Sequence, residues 1–282
     1  MLGCSAARLL GRPKAEKPRG REAERPSFPY LFAMPRLARF RGLSVALLLA
    51  PSLALAPDPI TIWMAGDSTM AEKQPDKRPE TGWGESFGKL FRDGEVRIAN
   101  RAMNGRSTRT FISEQRWQAI VDSAKRGDYV FIQFGHNDES PEKTDRYTPP
   151  ADFRANLARM VSDVRAKGAT PVLLTPVRRR KFDESGQLVD THGEYPDLVR
   201  SVAAQAKVAL IDMHRSSGIA LSRLGPDSSR ALFLQLKPGE NQNYPNGVED
   251  NTHFRPRGAD LMAQLAAADL RGALPSLAAH LR

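Results

Sequence analysis

Met64-Ala-Gly-Asp-Ser68-Thr places a serine just beyond a short apolar run, with Gly66 free to turn the chain sharply. A serine hydroxyl is a poor nucleophile until a neighbouring base removes its proton, and that base needs a partner that fixes its tautomer. Asp250-Asn-Thr-His253 supplies both types three residues apart, in what reads as a tight loop ahead of a helix. Together Ser68, His253 and Asp250 could run a nucleophilic displacement through a covalent intermediate. Each piece also has a plainer reading. Gly-Asp-Ser is an ordinary strand-to-helix turn with an N-cap, and a loop aspartate often caps backbone N–H groups beside a surface histidine.

Attack by such a serine on a carbonyl builds negative charge on oxygen, and two further blocks could receive it. Asn100-Arg-Ala-Met-Asn-Gly105 follows a second β-rich run, and Gly135-His-Asn137-Asp follows a third. The Gly105 N–H and the Asn137 side-chain amide could join the Ser68 N–H, and loss of one such donor costs about 3–4 kcal/mol in a transition state. Asn-Gly and Gly-x-Asn are common turn signals as well. His136 and Asp138 flank Asn137, but too few ligand types accompany them for a metal site, so none is expected.

The elements that would position these residues alternate in type. Strands are expected at Ile60 to Met64, Val96 to Ala99, Tyr129 to Phe134, Pro171 to Thr175 and Val208 to Asp212. Helices are expected at Glu85 to Phe91, Ser113 to Lys125, Ala151 to Lys167, Tyr195 to Lys207 and from near Arg257 through Ala268. The third of these carries Phe153, Leu157, Met160, Val161 and Val164 at helical spacing. The alternation predicts one α/β domain with a central parallel sheet and helices on both faces. On such a sheet ligands sit at the carboxyl ends of the strands, where Ser68, Gly105 and Asn137 all fall. Leu224 to Arg255 lacks periodicity and is rich in Gly, Pro, Asn and Asp, so it reads as a long functional loop.

The amino-terminal part has a different composition. Arg36, Arg39 and Arg41 precede the apolar run Leu43 to Ala50 and the small-residue end Ala54-Leu-Ala56, the pattern of a secretory signal peptide over residues 34–56. An apolar stretch of about 14 residues is short of the ~20 that span a bilayer. Residues 1–33 read as a non-native or disordered extension, with translation starting at Met34. Residues 57–282 then form a single domain, cleaved from its leader after Ala56 or at a neighbouring bond, secreted or periplasmic and without stable membrane insertion. The chain has 42 basic and 32 acidic residues, but ten and three of these lie in 1–56, which leaves 32 against 29. The basic excess therefore belongs mostly to the leader and argues against a nucleic-acid partner. The single cysteine, Cys4, is also there, so the domain is expected to have no disulfide.

Taken in order, Gly66-Asp-Ser-Thr69, Gly105, Gly135-His-Asn-Asp138 and Asp250-Asn-Thr-His253 resemble the four blocks of SGNH (GDSL) hydrolases. Within that superfamily the chain is most similar to rhamnogalacturonan acetylesterases, over nearly all of residues 60–270. Thr81-Gly-Trp-Gly84, Asn104-Gly-Arg-Ser107, Val177-Arg-Arg-Arg-Lys-Phe-Asp183, Thr191-His-Gly193, the stretch from Leu224-Gly-Pro to Leu232-Phe, and Tyr244 to His253 carry that likeness. The resemblance implies a flavodoxin-like three-layer α/β/α sandwich and an esterase without metal or organic cofactor. It implies Ser68 as nucleophile, His253 as base then acid, Asp250 as its partner, and Ser68, Gly105 and Asn137 as the oxyanion hole. The implied substrate is an acetylated polysaccharide or oligosaccharide, foremost pectic rhamnogalacturonan. Acetylated xylan, another glycan, or a noncatalytic carbohydrate-binding role are the alternatives. Trp83, Arg178 and His192 are the candidate substrate contacts, and the basic run Arg178 to Lys181 would suit an acidic polymer.

Overall fold

The computed structural model describes residues 58–282. The expected extension and signal segment lie outside the described residues. Five short apolar runs form one parallel sheet: β1 (Ile60–Gly66), β2 (Val96–Asn100), β3 (Tyr129–Gln133), β4 (Thr170–Leu174) and β5 (Ala209–Ile211), in the spatial order β2-β1-β3-β4-β5. This is the flavodoxin-like order, with its reversal of direction at β1 and β3. Met64 of β1 stands opposite Asn100 of β2 and Phe131 of β3, so the carboxyl ends of the three strands form one rim.

Both faces of the sheet are apolar because helices cover both. On one face Ile62, Met64, Phe131 and Leu174 pack with Phe87 of α1 (Trp83–Phe87) and Met262 and Ala266 of α7 (Pro256–Ala273). On the other, Trp63, Ala65 and Ile132 pack with α3 (Arg116–Ser123), α4 (Pro150–Ala166) and α5 (Tyr195–Ala206), after the short α2 (Thr108–Ser113). The five apolar positions expected to line α4 are all buried. A short α8 (Pro275–Ala278) closes the chain. No helix among the described residues is long and apolar enough to cross a membrane.

Two expectations are corrected. The helix expected over Ser113 to Lys125 is α3 alone, which starts only at Arg116 because Gln115 takes a left-handed conformation at φ 59°, and a separate α2 precedes it, ending at Ser113. The stretch from Leu224 to Arg255 is not one long loop. It holds the end of α6 (Met213–Arg230) and a two-stranded antiparallel sheet of β6 (Phe233–Leu236) and β7 (Val248–Phe254). Helical periodicity is lost because Gly225 (φ 70°) and Pro226 interrupt α6. Strand alternation is lost because β7 is polar and irregularly paired.

Candidate active site

Ser68 follows β1 at the carboxyl rim. The turn that carries it is held from below by Asp67, which is fully buried and whose Oδ1 accepts from the Thr69 N–H at 2.9 Å and the Thr69 hydroxyl at 2.8 Å. Its Oδ2 lies 3.2 Å from His136 Nδ1. Burial alone would raise the Asp67 carboxyl, but the charge and hydrogen bond of His136 and the Thr69 donors outweigh it and hold it at about 2.

Ser68 Oγ stands 2.8 Å from His253 Nε2, and His253 Nδ1 stands 2.7 Å from Asp250 Oδ2. Asp250 Oδ1 accepts from the backbone N–H groups of Thr252 at 2.7 Å and His253 at 2.9 Å. With the carboxylate accepting the Nδ1 proton, the neutral ring presents Nε2 as an acceptor to the Ser68 hydroxyl. Burial pushes the Asp250 carboxyl up, and the hydrogen bond to His253, its charge and the two N–H donors bring it below the ordinary range. The aspartate and histidine sit on β7 rather than in the loop the sequence suggested.

Gly105 and Asn137 come to the same rim from the neighbouring strands. The loop after β2 is tied to the Ser68 turn by the Met103 N–H, which donates to Gly66 O at 2.9 Å. The Asn137 amide donates to Arg106 O at 3.0 Å and so locks the loop after β3 onto the loop after β2. Gly105 adopts φ 74°, a conformation that side chains with a Cβ rarely take. Among the described residues, neither the Ser68 N–H nor the Gly105 N–H donates to a backbone acceptor. Ser68 and Asn137 are nearly buried, at 8% and 7% exposure. The arrangement can take a proton from a hydroxyl and meet developing oxyanion charge beside it.

Of the three candidate substrate contacts, Trp83 and His192 are corrected by their burial. Trp83 is fully buried, donates from Nε1 to Gln133 Oε1 at 2.8 Å and packs edge-on against Phe87. Its flanking glycines do not open a surface loop; the Gly82 N–H is capped by Glu85 Oε1 at 2.9 Å at the start of α1. His192 is 1% exposed, with Nδ1 2.7 Å from Glu139 Oε2 and Nε2 2.9 Å from Val177 O, so both nitrogens are engaged inside the protein. The Arg178 side chain runs past Gly218 of α6 toward Asp190. Its neighbours Arg179 and Arg180 take the other direction. Arg179 reaches His136 O at 3.2 Å, and Arg180 reaches Asn251 Oδ1 at 2.9 Å, next to Asp250.

Arg179, Arg180, Lys181, Phe182, Thr191 and Asn251 line a cleft of about 490 Å3. The Arg180 guanidinium lies 5.8 Å over the Phe182 ring. Also at the site are Glu80, whose Oε1 is 4.0 Å from His253 Nε2, and Lys73, 2.8 Å from the same carboxylate oxygen. The sequence reading passed over both, since they lie in a charged, aperiodic segment that looks like solvated surface. Among the described residues no group of three His, Cys, Asp or Glu side chains is arranged to hold a metal ion.

The GDSL-like lipase/acylhydrolase family matches residues 64–261. A rhamnogalacturonan acetylesterase of Bacillus subtilis is 43% identical over 209 residues, covering 74% of this chain and 88% of its own length. A rhamnogalacturonan acetylesterase of Emericella nidulans is 30% identical, with 75% of this chain and 86% of the relative covered. Among solved structures, protein YXIM of Bacillus subtilis superposes with a TM-score of 0.65 at 28% identity, over 76% of this chain and 56% of that one. An acetylxylan esterase from Geobacillus stearothermophilus shares the fold, with a TM-score of 0.55 at 18% identity over 75% of this chain and 94% of that one. The chain therefore belongs to the GDSL-like lipase/acylhydrolase family, in the group that contains the rhamnogalacturonan acetylesterases, and is a carboxylic-ester hydrolase.

Proposed function

We propose that the protein removes O-acetyl groups from rhamnogalacturonan, using Ser68, His253 and Asp250 as a catalytic triad. The observation that carries the proposal is the hydrogen-bonded relay from Ser68 Oγ to His253 Nε2 at 2.8 Å and from His253 Nδ1 to Asp250 Oδ2 at 2.7 Å. His253 takes the hydroxyl proton as Ser68 Oγ bonds to the acetyl carbonyl carbon. The carbonyl oxygen becomes an oxyanion, met by the N–H groups of Ser68 and Gly105 and by the Asn137 amide. Collapse breaks the bond to the sugar oxygen, which leaves with the proton held by His253. Water then gives a proton to His253 and its oxygen to the acetyl carbon, and the second collapse releases acetate and returns the proton to Ser68.

Two features favour a glycan over a long-chain lipid, and an acidic glycan in particular. The large apolar side chains exposed among the described residues are Ile219 and Leu224 alone, too few for an acyl-chain surface. The cleft beside Asp250 is lined by Arg180, Lys181 and Arg179, the last paired with Glu139, against one acidic side chain, Asp183, and this net positive lining suits a uronate-containing polymer. The curated relatives named for rhamnogalacturonan point the same way. We further infer that the protein acts outside the cytoplasm after removal of residues 34–56. Amino-terminal sequencing of the natural product decides this, since a mature chain retaining Arg36 would overturn it.

The test of function is acetate release from acetylated rhamnogalacturonan, acetylated xylan and a long-chain ester, with the Ser68→Ala variant in parallel. Release from the pectic polymer that disappears in the variant is the expected result. Release confined to xylan would keep the chemistry and overturn the substrate. Activity retained by Ser68→Ala would overturn the mechanism.

A further inference from the structure

Lys73 is 3% exposed, and its ammonium meets three acceptors from three separate segments. These are the Ser68 carbonyl in the turn after β1, Asn104 Oδ1 at 2.7 Å in the loop after β2, and Glu80 Oε1 at 2.8 Å. An ammonium has three N–H donors and a neutral amine two, so three oxygen acceptors call for the charged form, with every donor used. Burial pulls the Lys73 ammonium below its ordinary range, and the carboxylate of Glu80 opposes that. Burying a charge costs several kcal/mol before any partner is counted.

Two consequences follow from where the acceptors lie. The first concerns the oxyanion donors. Asn104 is held by its side chain to Lys73 and by its carbonyl to Arg106 Nη1 at 2.9 Å. The 104–105 peptide carries the Gly105 N–H, so both grips fix the direction of that donor. Ser68 is gripped through its carbonyl by the same ammonium. One nitrogen therefore sets the spacing between the two loops that supply the backbone donors.

The second concerns charge. Glu80 Oε1 lies 4.0 Å from His253 Nε2 as well as 2.8 Å from Lys73. Without the ammonium, Glu80 would be a carboxylate with no cation beside it, neighboured by the Tyr244 hydroxyl and facing the nitrogen that must collect the Ser68 proton. Its charge would then favour the protonated ring, which cannot accept that proton.

The geometry points to Lys73, held by Glu80, as a positioning residue that aligns the Ser68 and Gly105 oxyanion donors and neutralises the carboxylate beside His253. This rests on the triad reading above, and the controls separate the two. If the wild-type protein shows no Ser68-dependent turnover of an acetyl ester, the triad reading fails; if it does, the Lys73 variants judge the present inference.

Lys73→Met is expected to lower kcat by roughly 10- to 100-fold, somewhat less than outright loss of a donor, which costs about 10²–10³. KM for a small acetyl ester should stay within about twofold, because ground-state contacts are untouched. Affinity for a boronic acid that forms a tetrahedral adduct on serine should fall in step with kcat. The acid limb of the kcat–pH profile should move to higher pH, and Lys73→Met with Glu80→Gln should restore that limb while leaving kcat low. If Lys73→Met does not fold, Asn104→Ala removes one grip only and should lower kcat and boronic acid affinity in the same direction. Unchanged kcat and boronic acid affinity in a folded variant would overturn the inference. So would kcat, KM and Tm falling together with no change in the pH profile, which is the pattern of a purely structural ion pair.

Discussion

Asp250 and His253 are three residues apart on one β-strand, yet Asp250 Oδ2 lies 2.7 Å from His253 Nδ1. In a regular strand residues i and i+3 point to opposite faces, so the strand cannot be regular here. Phe233 of β6 pairs with Phe254 of β7, while Gln235 pairs with Glu249, so two steps along one strand meet five along the other. The three surplus residues bulge at Asp250 to His253. Asp250 Oδ1 holds the bulge by accepting the N–H groups of Thr252 and His253. One carboxylate thus bends the backbone with one oxygen and orients the imidazole with the other.

Asp250→Asn tests this division of labour. The asparagine oxygen can still accept both N–H groups, so the bulge and the melting temperature should be nearly unchanged. Its amide nitrogen cannot accept the His253 Nδ1 proton, and the ring would then present the wrong tautomer to Ser68. A fall in kcat of about 10³–10⁴ with KM little altered is expected, measured as acetate release beside a circular-dichroism melt. Activity within tenfold of wild type would contradict the relay.

Asp138 gives a pH-dependent stability. It is fully buried, and burial raises its carboxyl from 3.8 to about 7, against the Thr108 N–H and hydroxyl that donate to Oδ1 at 2.8 and 2.6 Å. Below about pH 4 the group is protonated in both folded and unfolded chains. Between there and about pH 7 the folded chain binds the extra proton, so this group's contribution to stability is lost as pH rises. Asp138→Asn keeps the Oδ1 acceptor and cannot ionise. Its Tm relative to wild type should therefore rise by several degrees between about pH 5 and pH 8, measured by calorimetry. Parallel Tm–pH curves would refute the assignment.

The layers of the fold were legible because its long elements are periodic. Phe153, Leu157, Met160, Val161 and Val164 mark α4 by spacing alone, and all are buried. The Ser68, Gly105 and Asn137 blocks were legible because each stands beyond the end of an apolar strand, whereas Asp250 and His253, inside polar β7, were legible only by residue type and spacing. What was missed lacks a periodic signature. The β6–β7 pair hides behind a polar strand with a three-residue bulge, and the kink at Gly225-Pro226 masks α6. Trp83 misled because Gly-Trp-Gly looks like a surface loop, whereas Gln133 inside the sheet satisfies its indole N–H. Lys73 and Glu80 look like solvated charges in sequence, and only long-range contacts to Asn104 and His253 give them a role.

Gly258 should be intolerant of any side chain. A Cβ there would lie 2.0 Å from Leu232 O and 2.9 Å from Leu232 C, so α7 would have to lift off the strand-leading segment of β6. The same carbonyl accepts the Arg255 N–H at 3.0 Å, two residues after His253. Gly258→Ala should cost about 2–3 kcal/mol, a fall in Tm of roughly 5–10 °C for a domain of this size. The displacement would also reach His253, so kcat should fall with stability. A melt within about 1 °C of wild type would show that α7 yields at no cost.

Lys181 tests whether the basic cleft reads charge on the substrate. Its side chain is exposed, at the lip of the cleft formed with Arg180 and Phe182, so reversing it should disturb no buried contact. Lys181→Glu places a carboxylate where the proposal puts a uronate. Repulsion should raise KM for acetylated rhamnogalacturonan several-fold, leave kcat near wild type, and leave both constants unchanged for a small neutral acetyl ester. Salt separates charge from shape. Screening shortens from about 30 Å at 0.01 M to about 3 Å at 1 M, so added salt should raise the wild-type KM and lower that of the variant until the two converge. If the two KM values are equal at low salt, the cleft does not recognise an acidic polymer through this lysine. If they differ on the neutral ester as well, its effect is on the shape of the site rather than on charge.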